Sequence, residues 1–182
     1  MFEELLTRLA LKLEQHKIPY IVTGGQAVLL YGEPRLTRDI DLTVGISNKH
    51  LDKMIQIAEQ LKLKIIPKEI YSFVSDTMVL PVLDEKTGIR IDIVFSFTPY
   101  ETQAIRRAKK INLNSVLVSF VSLEDLIIHK IFSGRPRDIE DLEIILKKNK
   151  NLDLDYTVHW LSEFDKTFKD RNFLGTFRRI FK

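Results

Sequence analysis

The sequence predicts an α/β (α+β) protein in which a mixed β-sheet core carries a helical C-terminal part. Three observations carry that expectation. Apolar residues alternate at Ile40, Leu42, Val44 and Ile46, and again at Ile89, Ile91, Ile93 and Phe95, the period-two mark of strands with one buried face. The pair Gly24-Gly25 closes a short apolar run that starts at Tyr20, as at a strand-to-helix turn. From Ser122 onward the apolar spacing is helical.

The elements follow in order. Leu5, Leu6, Leu9 and Leu13 form one stripe of a first helix that stops near Lys17-Ile18-Pro19. Tyr20 to Thr23 predicts a buried strand, and Gly24-Gly25 opens a helix to about Tyr31. A turn-rich stretch, Gly32-Glu33-Pro34-Arg35, leads to the strand from Asp39 to Ile46. Asn48 is placed to cap a helix to about Leu61, and strands are expected near 63–66, 78–83 and 89–97. Asp84 to Gly88 would join the last two as a hairpin. Pro99 predicts a helix to about Lys110, followed by a strand over 116–121. Helices are expected over 122–132, 138–148 and after Asp153. The domain reading is a core over 1–121, including the N-terminal helix, and a helical part over 122–182, together one compact unit.

Composition narrows the function classes. The 182 residues are 45% hydrophobic and 29% charged, enough for a sizeable core and incompatible with wholesale disorder. The longest uncharged run, Ile18 to Gly32, is broken by Pro19, Gly24 and Gly25 and is too short to span a bilayer. Absence of cysteine excludes disulfides, thiolate nucleophiles and Cys-based zinc sites. With no secretory pattern at the first helix, a cytoplasmic location is expected. The net charge of +3 permits an anionic substrate without demanding one. The densest basic cluster, Arg106, Arg107, Lys109 and Lys110, is expected on a solvated helix face.

Two carboxylates, Asp39 and Asp41, share the strand face opposite Ile40 and Leu42. Spacing alone means little, because 13 aspartates make one D-x-D expected by chance. Asp153-Leu154-Asp155 is the internal control, better explained as acid at a helix start. Asp39 and Asp41 differ in lying about 6–7 Å apart on one strand face, where uncompensated anions are unfavourable and a cation is called for. Asp92 faces away from Ile91 and Ile93 inside an otherwise apolar strand. It either pairs with Arg90 or a nearby lysine, or completes a two-metal phosphoryl-transfer set with Asp39 and Asp41. An all-oxygen donor set implies Mg2+ or Mn2+ and not zinc.

Gly24-Gly25 at a strand–helix junction is either a tight turn or a phosphate cradle in front of helix-end amides. Arg35 and Arg38 flank the approach to the acids, as phosphate contacts or as loop-bracing arginines. Lys130 lies on the apolar side of its helix, where its ammonium either snorkels outward or meets an anion, a triphosphate or the acidic cluster.

Gly24-Gly25, Asp39-Ile40-Asp41 after a thirteen-residue gap, and the strand around Asp92 together resemble the polymerase-β-like nucleotidyltransferase superfamily. The resemblance implies a mixed-sheet nucleotidyltransferase core. It implies that Gly24 and Gly25 bind the triphosphate, that Asp39, Asp41 and Asp92 hold two magnesium ions, and that Asp92 is the candidate to accept the proton of the attacking hydroxyl. GGQAVLLYGEPRLTRDIDLTV and LEDLIIHKIFSGRPRDIEDL, within about residues 20–146, further resemble the nucleotidyltransferase toxins of abortive-infection type IV toxin–antitoxin systems and their uncharacterised bacterial relatives. The lysine and arginine–aspartate pair of that family match Lys130, Arg137 and Asp138. Catalytic candidates are therefore Asp39, Asp41, Asp92 and Lys130; nucleotide-binding candidates are Gly24, Gly25, Arg38, Lys130, Arg137 and Asp138. The implied activity is transfer of a nucleoside monophosphate from an NTP to an acceptor hydroxyl, releasing pyrophosphate. The acceptor is a tRNA or other RNA end, and a cognate antitoxin is the implied protein partner. Alternatives are nucleotidylation of a protein or small molecule, and a non-catalytic nucleotide-binding or antitoxin module.

Overall fold

The computed structural model describes residues 1–34 and 36–181; Arg35 lies outside the described residues. Seven strands form one mixed sheet: β1 (Tyr20–Thr23), β2 (Asp39–Val44), β3 (Lys64–Ile65), β4 (Val79–Asp84), β5 (Ile89–Phe95), β6 (Lys109–Leu113) and β7 (Val116–Phe120). Their order is β3-β4-β5-β2-β1-β7-β6. β2 pairs parallel with β5 and β1 parallel with β7, while the remaining neighbours are antiparallel. The nine α-helices among the described residues are α1 (Phe2–Gln15), α2 (Gly24–Tyr31), α3 (Leu51–Gln60), α4 (Ile70–Thr77), α5 (Pro99–Arg106), α6 (Leu123–Ser133), α7 (Pro136–Lys148), α8 (Leu154–Thr167) and α9 (Phe173–Ile180). None of these helices is long and apolar enough to cross a membrane.

Cα packing resolves two compact units, one from residues 1–26 and 36–121, the other from the stretch starting at Ala27 and the chain from Ser122 onward. In the sheet unit, the alternation expected for β2 and β5 buries Ile40, Leu42, Val44, Ile91, Ile93 and Phe95 almost completely. Each such side chain contributes about 1.5–3 kcal/mol by leaving water. In the helical unit, Leu126, Ile127, Ile131, Leu142 and Ile145 form the buried seam of α6 and α7, and Phe132 stacks on Phe173 at 5.3 Å. Two side-chain caps start helices here. Ser122 Oγ accepts from Asp125 N–H at the start of α6, and the Asp153 carboxylate accepts from Tyr156 N–H at the start of α8.

Several elements depart from expectation. The helix from Pro99 ends at Arg106, and Lys109–Leu113 is a strand paired with β7 through a turn whose Asn114 and Ser115 have φ of 49° and 67°. The basic cluster thus straddles a helix end and a strand and does not line one helix face. A short helix, α4, fills the stretch between the third and fourth strands, ending on a left-handed Met78. Asn48 begins a 3-10 turn (Asn48–His50) ahead of α3. The third strand contracts to two residues, whereas β6, at the other end of the sheet, carries exposed Lys109 and Lys110.

Candidate active site

Pairing register brings the three acids onto neighbouring strands of the sheet unit. Asp41 lies opposite Asp92 across the parallel β2–β5 pair, and opposite Thr23, the last residue of β1, on its other side. Asp39 lies opposite Arg90. Neighbouring strands run about 4.8 Å apart, so Thr23, Asp41 and Asp92 form a row across the sheet, with Asp39 and Arg90 one pleat away on the same face. Asp39 is exposed and Asp41 half-buried.

Arg90 supplies the counter-charge. Its Nε donates to Asp92 Oδ1 at 2.8 Å, an i,i+2 pair within β5 of the kind foreseen as one alternative for Asp92. Among the described residues, no three acidic or histidine side chains converge on one point as they stand. The donors are all carboxylates on paired backbone, the oxygen chemistry that a hard divalent ion takes, with Asp92 engaged by Arg90.

The glycine turn is built around Asp41. Gly24 has φ +59°, and a Cβ placed there would fall inside the Asp41 carboxylate. Only a residue without a side chain lets the strand end approach this acid so closely. Gly25, the next residue of α2, is buried. Gln26 Nε2 donates to Thr37 Oγ1 at 2.9 Å, fastening the start of α2 to the segment that delivers exposed Arg38 and Asp39 to β2.

Lys130, Asp138 and Asp141 form a buried charge cluster within the helical unit. Lys130 Nζ donates to Asp138 Oδ1 at 2.8 Å and to Asp141 Oδ2 at 2.7 Å, with side-chain exposures of only 5% and 6%. The anion met by this lysine is therefore a carboxylate pair eight and eleven residues along the chain. Arg135, itself exposed, donates from Nε to Asp138 Oδ2 at 2.7 Å. Arg137 is exposed on the first turn of α7. Asp141 was not singled out in the sequence; its spacing from Asp138, three residues along one helix, was the available signal.

Burial raises the Asp138 proton affinity, but the hydrogen bonds from Arg135 and Lys130 outweigh it and hold the carboxyl at about 2. Its ordinary value is 3.8, so the unfolded chain takes up this proton first as pH falls. The stabilisation, about 2 kcal/mol, is complete above about pH 4 and is lost as pH approaches 2. Denaturant midpoints measured from pH 6 to pH 2 should fall more steeply for the parent than for Asp138→Asn. Parallel curves would show that Asp138 contributes none of the acid sensitivity.

The seven-stranded mixed sheet thus carries a glycine turn against a D-x-D strand and a third acid on the adjacent strand. Residues 2–172 match the family described as a nucleotidyltransferase of unknown function (DUF6036), and the chain belongs to that family. No curated protein matches its sequence. Among solved structures, similarity extends to the antibiotic-resistance factor ANT(2'')-Ia, at 14% identity and TM-score 0.63, covering 92% of this chain and 93% of that one. An antigenic nucleotidyltransferase-like protein from Paracoccidioides brasiliensis is similar at 17% identity and TM-score 0.57, covering 92% and 88%. The lincosamide antibiotic adenylyltransferase LnuA is similar at 20% identity and TM-score 0.51, covering 75% and 91%. At these identities the likeness is one of fold.

Proposed function

We propose that the protein transfers a nucleoside monophosphate from an NTP to an acceptor hydroxyl, with release of pyrophosphate and dependence on Mg2+ or Mn2+. The observation that carries this reading is the register of Asp41 beside Asp92, with Gly24 packed beneath the Asp41 carboxylate. Asp39, Asp41 and Asp92 would hold the metal, which supplies charge neutralisation for the triphosphate. Gly24 and Gly25 would leave the α2 amides open to phosphate. Asp92, released from Arg90, would accept the hydroxyl proton. Arg38 and Arg137, both exposed, are assigned to nucleotide contacts. Lys130 and Asp138 are assigned to the same function indirectly, through the ion cluster that fixes the α6–α7 corner.

Two acceptor classes follow from different supports. The toxin resemblance supports a tRNA or other RNA end, with a cognate antitoxin as partner. The similar fold of ANT(2'')-Ia, solved with adenylyl-2''-tobramycin, supports a small-molecule hydroxyl. Incubation with each α-labelled NTP and Mg2+, against separate pools of tRNA, protein and small metabolites, tests the reading; label in no pool under any NTP would sink it. Asp41→Asn should reduce transfer by about 100-fold or more, the scale for losing one preorganised charge at a reacting phosphate. Its melting temperature should be unchanged or raised, because one of the clustered anions is gone. Full activity in this variant would remove Asp41 from the mechanism.

A further inference from the structure

The row that contains Asp41 and Asp92 continues one strand further. Pro81 of β4 lies opposite Asp92 across the antiparallel β4–β5 pair, so its side chain shares the acid face about 5 Å away. Here the sheet unit opens into a cavity of about 510 Å³, walled by Ile66, Pro67, Phe73 and Pro81 and reaching Arg90. That volume suits a small molecule, within the range of about 300–1,000 Å³. Phe73 is 38% exposed and Ile66 45% exposed, so the cavity presents open apolar surface one strand from Asp92. The charged residues at the edge balance: Lys68 and Arg90 against Glu69 and Asp76. A polyanionic backbone gains nothing from such a rim, since nucleic-acid affinity comes from net cation contacts.

We propose that this slot is the acceptor site and that it takes a small, hydroxyl-bearing compound through one uncharged aromatic ring. The ring lies against Phe73 between the two prolines, and the hydroxyl projects along the row toward Asp92. This proposal rests on the transfer reading for Asp92. It narrows the acceptor from any hydroxyl to a ring-bearing small molecule.

Binding of simple probes separates the slot from the chemistry, because it requires neither NTP nor metal. The full chain, with its isoleucine methyls labelled, would be titrated with adenosine, phenyl β-glucoside and benzyl alcohol, each joining a ring to a hydroxyl. Ribose, which lacks the aromatic ring, and a hexaribonucleotide with a free 3'-hydroxyl complete the panel. At least one ring probe should shift the Ile66 methyl signal, while ribose leaves it in place. Phe73→Ala should weaken that probe about tenfold, the scale of one ring stacking on an aromatic side chain. Phe73→Trp should retain it, and both variants should keep the parent melting temperature. The proposal is overturned if no ring probe moves Ile66, or if Phe73→Ala leaves affinity unchanged. It is overturned in favour of an RNA end if the hexaribonucleotide moves Ile66 at lower concentration than every ring probe. Failure of transfer with intact probe binding would count against the reaction and not against the slot.

Discussion

Lys130→Met is expected to destabilise the protein by about 3–5 kcal/mol, the cost of stranding a buried charge by removing its partner. The sequence alone suggests the opposite, because methionine preserves the stem and removes a cation from an apolar stripe. The structure reverses the sign: Lys130 is the ammonium between Asp138 and Asp141, and its removal takes the shared cation from two buried carboxylates. Urea denaturation of parent and variant measures the difference. The companion variant Lys130→Met/Asp138→Asn/Asp141→Asn should recover much of the loss, since no buried anion remains. Equal midpoints for parent and single variant would mean that the cluster is solvated and structurally idle.

Gly24→Ala should have the second large effect, on chemistry and on stability together. Alanine at φ +59° is strained, costing about 1–2 kcal/mol. Its Cβ would also collide with Asp41, so the carboxylate or the turn must move. Nucleotidyl transfer should fall by about 100-fold or more, as for loss of the acid itself. Gly88→Ala is the control. Its φ is +71° and nothing lies within 4 Å of the added methyl, so it should show the strain without the loss of transfer. Similar activities in the two glycine variants would mean that Gly24 serves only as a turn.

The acid-bearing face was legible because alternation is a local signal. Ile40 and Leu42 in β2, and Ile91 and Ile93 in β5, identify the buried side, so Asp39, Asp41 and Asp92 must lie on the other. The parallel register that sets Asp41 beside Asp92 is non-local, and no spacing encodes it. β6 was illegible for a related reason. Arg106 to Lys110 consists of good helix formers, and pairing with β7 overrides their propensity. The Asn114-Ser115 turn was the missed clue. α4 was missed because Ile70, Tyr71, Phe73 and Val74 are weak helix formers in a segment of only eight residues. With α4 unseen, the slot beside Asp92 was invisible too. Asp141 escaped because it meets Lys130 across a corner turned by Gly134, at φ +64°.

The two margins of the sheet have a consequence for self-association. An open sheet ends in unpaired amides and carbonyls that template another strand, and short or lysine-bearing margins suppress that pairing. One margin here is β3, only two residues long. The other, β6, offers five residues, long enough to recruit a neighbour, but opens with exposed Lys109 and Lys110. These lysines place positive charge on the margin that a second copy would have to approach. The basic pair thus acts as a guard against fibrous aggregation, and replacing both lysines with valine should leave the fold intact while making the protein precipitate on concentration.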